Sequence, residues 1–229
     1  MRSNGDTIFL PLGIGEPWPD NNVDWNRPRK GLIKKFKTTL ESAEDERPLQ
    51  NFFRDHPHIL AMGVLGGLHR CWVFPKPQLG GKYIPDFLIC NWTSNGPSWC
   101  LIELETPTVN PLTKKGSISA NWRKGVEQIM DYRAWLRDHV EHERNMGKYG
   151  INGNCSGWVI IGRRDLKRTE LEGRRVTDLY WENHIQVASY DRLVETFAFH
   201  QRYINQSWDR TRALARKIKR RKNEEKRMA

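Results

Sequence analysis

Three short runs between residues 70 and 105 constrain this chain more than any other feature. They are Arg70-Cys-Trp-Val-Phe74, Lys82-Tyr-Ile-Pro-Asp-Phe-Leu-Ile-Cys90 and Ser98-Trp-Cys-Leu-Ile-Glu-Leu-Glu105. Aromatic and branched residues dominate them, and such residues favour extended backbone. Gly80-Gly81 and Asn95-Gly96 separate the runs as turn signals. Turns this short join antiparallel neighbours. The segment therefore predicts a meander of three antiparallel strands.

Helical patterns flank the meander. Residues 31–43 (GLIKKFKTTLESA) suit a short helix. Over residues 44–62, Leu49, Phe52 and Phe53 share one helical face, Pro48 suits a first turn, and Pro57 ends or kinks the helix. A longer helix is expected over 119–143, where Trp122, Val126, Ile129, Leu136 and Val140 form one stripe. Gly157-Trp-Val-Ile-Ile-Gly162 reads as a strand buried on both faces, and a further strand is expected near 185–189. The last helix starts near Asp191, with Leu193, Phe197, Ile204, Trp208, Ala215 and Ile218 as its apolar stripe. This order predicts an α/β sandwich on a mixed sheet. The expected organisation is an extended arm over 1–40, a domain over 41–205 and a basic helical tail over 206–229. Residues 1–30 are rich in Gly, Pro, Asn and Asp, while Trp18 and Trp25 suggest that the arm docks.

Charge supplies the first functional hint. The 229 residues carry a net charge of +11. Ten Lys/Arg against three acids over 208–229 concentrate +7 of it in the tail. A polyanion such as nucleic acid suits that tail, and so does a solvated basic helix end. No apolar run approaches the length needed to span a bilayer, and the N-terminus lacks a continuous apolar signal region, so a cytoplasmic protein without membrane contact is expected. Cys71, Cys90, Cys100 and Cys155 form no Cys-x-x-Cys pair and are expected to be reduced. His56/His58 and His139/His142 lack a third ligand at zinc spacing.

The chemistry-bearing segment is Ile84-Pro-Asp86 followed by Glu103-Leu-Glu105. Alternate side chains of a strand share a face, so Glu103 and Glu105 point the same way, roughly 7 Å apart. If the second and third strands are neighbours, Asp86 lies beside them. Converging carboxylates repel one another, and a divalent cation relieves the repulsion. Such an ion also activates water against a phosphodiester. The spacing alone equally suits a solvated sheet face paired with lysines.

Pro85-Asp86 followed by Glu103-Leu-Glu105 resembles the PD-(D/E)XK nuclease signature, and the expected αβββαβ order resembles that superfamily's mixed sheet flanked by helices. Gln128-Ile-Met-Asp-Tyr132 resembles a Gln-x-x-x-Tyr element of its RecB-like members. A closer resemblance is to the Shedu family of bacterial anti-phage defence nucleases. It rests on Glu46-Arg-Pro-Leu-Gln-Asn-Phe-Phe53, Tyr83-Ile-Pro-Asp-Phe-Leu88, Leu101-Ile-Glu-Leu-Glu-Thr-Pro-Thr108, Asn110-Pro-Leu-Thr-Lys-Lys-Gly116, Gln128 to Trp135, and Val159-Ile-Ile-Gly-Arg-Arg164.

The resemblance implies Mg²⁺- or Mn²⁺-dependent cleavage of DNA by a protein that assembles as a homo-oligomer. It implies that Asp86 and Glu103 are metal ligands. Glu105 stands where the superfamily generally has lysine, and suits metal binding or general-base work instead. Lys114 or Lys115 is a candidate for the missing cation, and an ordinary loop role is the competing reading. Glu46 is a further acid that either faces the metal or favours the helix dipole. Gln128 and Tyr132, four residues apart on one helix, orient the acids, contact DNA or pack against each other. Arg163, Arg164, Lys217, Arg220 and Arg221 are candidate phosphate contacts. Two other functions stay open: a nucleic-acid-binding module with an inactive nuclease site, and a self-assembling structural subunit of a defence complex.

Overall fold

The computed structural model describes residues 18–25, 31–67, 70–113, 115–164 and 183–202. A five-stranded mixed sheet forms its middle layer, in the order β1 (Cys71–Pro75), β2 (Phe87–Thr93), β3 (Gly96–Leu104), β4 (Ser156–Ile160) and β5 (Ile185–Ala188). The first three strands pair antiparallel, and β4 and β5 add in parallel. The expected meander is present, and β4 sits inside the sheet between β3 and β5.

Alternation along the strands builds two cores. Phe87, Ile89, Ile102, Leu104 and Ile160 face α1 (Leu32–Ser42), α2 (Arg47–Asp55), α3 (Pro57–Leu65) and the helical residues 190–202. Leu88, Cys90, Leu101, Val159 and Ile161 face α4 (Ala120–Asp138). The expected stripe on α4 is buried at Trp122, Ile129 and Leu136. Ser119 caps that helix by accepting from Trp122 N at 3.2 Å. All four cysteines are free and buried.

Two boundaries differ from expectation. The second strand begins at Phe87 rather than Lys82. Gly80 and Gly81 adopt left-handed backbone (φ 60° and 73°), and Leu79 bridges Tyr83, so the chain turns where extension was expected. Pro85 lacks the N–H that a ladder requires. As expected from Pro57, the helical segment over 44–62 is interrupted at His56, giving two helices. The helix expected over 119–143 breaks at His139, and α5 (Val140–Asn145) follows.

The arm docks at Trp18, whose ring meets Trp72, Phe74 and Trp99 edge-on at centroid distances of 5.3, 5.6 and 5.3 Å. Its indole N–H donates to Gly147 O at 3.1 Å. Among the described residues, no helix is long and apolar enough to cross a membrane.

Candidate active site

The β2–β3 register pairs Phe87 with Ile102. Continued by one residue, it sets Asp86 opposite Glu103. Two acidic residues therefore meet where the strand pair ends, on the face covered by α4. The Asp86 backbone N–H donates to Glu103 Oε1 at 3.3 Å. The Asp86 carboxylate is held at both oxygens. Oδ1 accepts from Gln50 Nε2 at 2.6 Å and Lys76 Nζ at 2.5 Å, and Oδ2 accepts from Leu104 N at 2.8 Å.

Glu103 is only 4% exposed. Burial, and then the neighbouring Asp86 charge, push its carboxyl up to about 8. A hydrogen bond from Tyr132, the Asp86 N–H and the Lys76 charge act in the opposite direction. Tyr132 is buried, and its hydroxyl is pushed far above its ordinary range, mainly by burial and then by Glu103. Gln128, one helical turn earlier, hydrogen-bonds the same phenol. Gln128 Oε1 is buried with no partner. Since that oxygen accepts nothing, the amide N–H is the group that serves Tyr132. The result is a chain of contacts from Gln128 through Tyr132 to Glu103.

Glu105 lies just beyond β3, on the same face. Its backbone N–H donates to Ile160 O at 2.8 Å, and its carbonyl accepts from the Tyr190 hydroxyl at 2.7 Å. Its carboxylate accepts from Asn121 Nδ2 at 3.3 Å and lies 3.4 Å from Lys124 Nζ. Burial raises its titration above the ordinary range, while Lys124 and Asn121 oppose the rise. Gly125 permits the close approach of α4. A Cβ there would lie 2.9 Å from Val159 Cγ1 and 3.6 Å from Glu105 Cγ.

The loop between β1 and β2 is anchored from the opposite end of α4. Glu143, 1% exposed on α5, accepts from Gly80 N at 3.0 Å. Lys148 pairs with Glu143 and donates to Gln78 O at 3.0 Å. Trp135 fills the space that a Gly80 side chain would need.

The structure brings Asp86, Glu103, Gln128 and Tyr132 together, with Glu105 beside α4 on its own partners. Among the described residues, no three His, Cys, Asp or Glu side chains gather as a metal-binding group. The expected gathering of three acids is thus a close pair plus a third acid held apart by Asn121 and Lys124. Glu46, at the N-terminus of α2, is half-buried, and its charge raises the titration of Glu105 and Tyr190. Tyr132 is buried, with its hydroxyl on Glu103. Arg163 forms a bidentate pair with Asp191 at 3.0–3.1 Å, and Arg164 pairs with Glu195. Both expected phosphate contacts are therefore engaged by acids of the last described helix. Lys115 is exposed in the loop before α4. Lys114, Lys217, Arg220 and Arg221 lie outside the described residues.

Gln50, Lys76, Asn121 and Lys124 are site residues that sequence reasoning missed. Gln50 carried a readable signal: it is four residues after Glu46, so both lie on one face of α2. Lys76 carried none, because a turn rather than a strand or helix period places it.

Residues 43–194 match the family model described as Shedu protein SduA, C-terminal. No curated protein matches the sequence.

Proposed function

The chain belongs to the Shedu family, with two thirds of its length in the match, and from that membership we propose that it is a metal-dependent DNA endonuclease of anti-phage defence. The observation that carries the reading is the buried Asp86–Glu103 pair at the end of adjacent strands. The helix–three strands–helix–strand order around it suits a PD-(D/E)XK nuclease core.

The donors fit a hard divalent cation. Mg²⁺ is commonly held by one or two carboxylates, with waters and substrate phosphate completing its shell. Two crowded carboxylates answer that need, and the unpartnered Gln128 Oε1 is an acceptor suited to a coordinated water. Asp86 and Glu103 would hold the ion. When bound, it would supply Lewis-acid polarisation of the phosphate and an acidified water.

The chain's own residues carry the remaining work. Gln50 and Leu104 N–H fix the Asp86 carboxylate. Gln128 and Tyr132 fix Glu103. Glu105, with its proton affinity raised by burial, serves as proton acceptor for the attacking water. Lys124 and Lys76 offset charge that develops on the phosphate.

The test is cleavage of supercoiled, linear and single-stranded DNA in Mg²⁺, Mn²⁺ and EDTA. Divalent metal permits nicking or cutting, and Asp86→Asn and Glu103→Gln abolish it. Undiminished cleavage by both variants would defeat the assignment.

Two observations favour a second reading. Asp86 already carries a lysine counter-ion, and Glu105 replaces the motif lysine. A DNA-binding module without catalysis has that character. It predicts salt-sensitive DNA binding with no cleavage in any divalent metal.

A further inference from the structure

Lys76 is a residue whose placement the strand and helix patterns do not explain. It follows the last residue of β1 and adopts a left-handed backbone, φ 48°, uncommon for a side-chain-bearing residue. Conformations of that kind persist where surrounding contacts hold them, and they gather at functional sites. Here the Lys76 N–H donates to Asp86 O at 2.9 Å, closing the loop on itself. The ammonium then meets Asp86 Oδ1 at 2.5 Å.

The two partners differ in burial. The Asp86 side chain is 9% exposed and the Lys76 side chain 51%. The carboxylate is therefore fixed, while the ammonium has open solvent to move into. Asp86 does not depend on Lys76 for its position. Gln50 holds Oδ1 at 2.6 Å and Leu104 N–H holds Oδ2 at 2.8 Å, and both are uncharged donors. Lys76 adds charge to a carboxylate that is already oriented. Lys124 is placed differently, 3.4 Å from Glu105, which itself takes the position of the motif lysine.

We propose that Lys76 is an exchangeable counter-ion. It neutralises Asp86 while no divalent cation is bound, gives up the carboxylate when one binds, and then presents its ammonium to the phosphate in place of the lysine absent at position 105. The inference rests on the nuclease reading and adds a residue and an order of events to it. Asp86 cannot give the same oxygen fully to an ammonium and to a metal. A half-exposed lysine on a four-carbon stem can swing away without unfolding its loop, because the Lys76 N–H bond to Asp86 O involves backbone alone. No bond forms or breaks in the exchange, and the ammonium keeps its proton.

The experiment compares the full chain with Lys76→Met, and with Lys37→Met as a control for loss of one charge on an exposed face of α1. Mn²⁺ affinity is read from the free-ion electron paramagnetic resonance signal, and DNA nicking is measured in parallel. Partly exposed ion pairs hold their partners weakly, so Lys76→Met binds Mn²⁺ about two- to fivefold more tightly. The same variant loses nicking at least about tenfold, the order expected for one transition-state contact. Lys37→Met changes neither. Mn²⁺ affinity that is unchanged or weaker in Lys76→Met would overturn the exchange. Tighter binding with undiminished nicking would overturn the phosphate role. Absence of Mn²⁺ binding in the wild type would overturn the nuclease reading as well, an outcome separate from the first two. Thermal melting of each variant checks that the fold is intact.

Discussion

Replacing Glu103 with glutamine tests the electrostatics of the site without any substrate. The carboxyl is buried at 4% exposure and titrates at about 8, against an ordinary value of 4.5. The folded state therefore holds a proton that the unfolded chain releases. The stability tied to that proton is fully present below the unfolded value and is lost as pH rises through the folded one. Each unit of difference is worth about 1.36 kcal/mol, so the folded wild type forfeits up to about 3 kcal/mol between pH 5 and 7. Relaxation and water entry make that an upper limit. Glutamine keeps a carbonyl oxygen for the Asp86 N–H and the Tyr132 hydroxyl, and it carries no proton to lose. Urea unfolding in EDTA at pH 5, 6 and 7 is the assay. Glu103→Gln is expected to gain on the wild type as pH rises, by roughly 1–3 kcal/mol across that span. Parallel pH profiles for the two proteins would refute the claim that Glu103 is held neutral by burial beside Asp86.

Other consequences follow from single contacts. Gly125→Ala places a methyl 2.9 Å from Val159 Cγ1 and 3.1 Å from Cγ2. The overpacking cost of about 1–3 kcal/mol exceeds the gain of up to about 1 kcal/mol in helix propensity, so thermal melting falls. Arg133 donates to Cys155 O, Asn183 O and His184 O at 2.7, 2.6 and 3.0 Å, tying α4 to the starts of β4 and β5. Arg133→Met removes three hydrogen bonds to backbone carbonyls and lowers stability by roughly 3 kcal/mol in chemical denaturation. Glu143→Ala strands Lys148, only 13% exposed, and frees Gly80 N. The loss is roughly 3–5 kcal/mol, with faster amide exchange in the 76–86 loop as its signature. In the wild type, Mn²⁺ binding at pH 7 releases protons, and calorimetry in buffers of different ionisation enthalpy shows fewer released by Glu103→Gln.

What was legible follows the distinction between periodic and turned backbone. A strand period of two puts Glu103 and Glu105 on one face whatever the loops do, and an antiparallel neighbour brings Asp86 to Glu103 as soon as the hairpin turn is recognised. Gln128 and Tyr132 follow in the same way from a helical step of four. The third acid shows where periodicity stops. Sharing a face guarantees a direction but not a gathering, and Glu105 is drawn instead toward Asn121 and Lys124, because Gly125 lets α4 press against the end of β3. The cation shows the same limit more sharply. A search along the chain for a lysine near position 105 arrives at Lys114 and Lys115, the next ones in sequence. The ammonium found on Asp86 comes from Lys76, ten residues upstream of it, delivered by one left-handed residue and a loop pinned at Gly80 by Glu143. A pinned turn has no period to read, so charge brought in by such a turn emerges only from coordinates. The pattern of the carboxylates nevertheless predicts that compensation must arrive, as a cation or a retained proton, because two buried acids in register repel when both are charged.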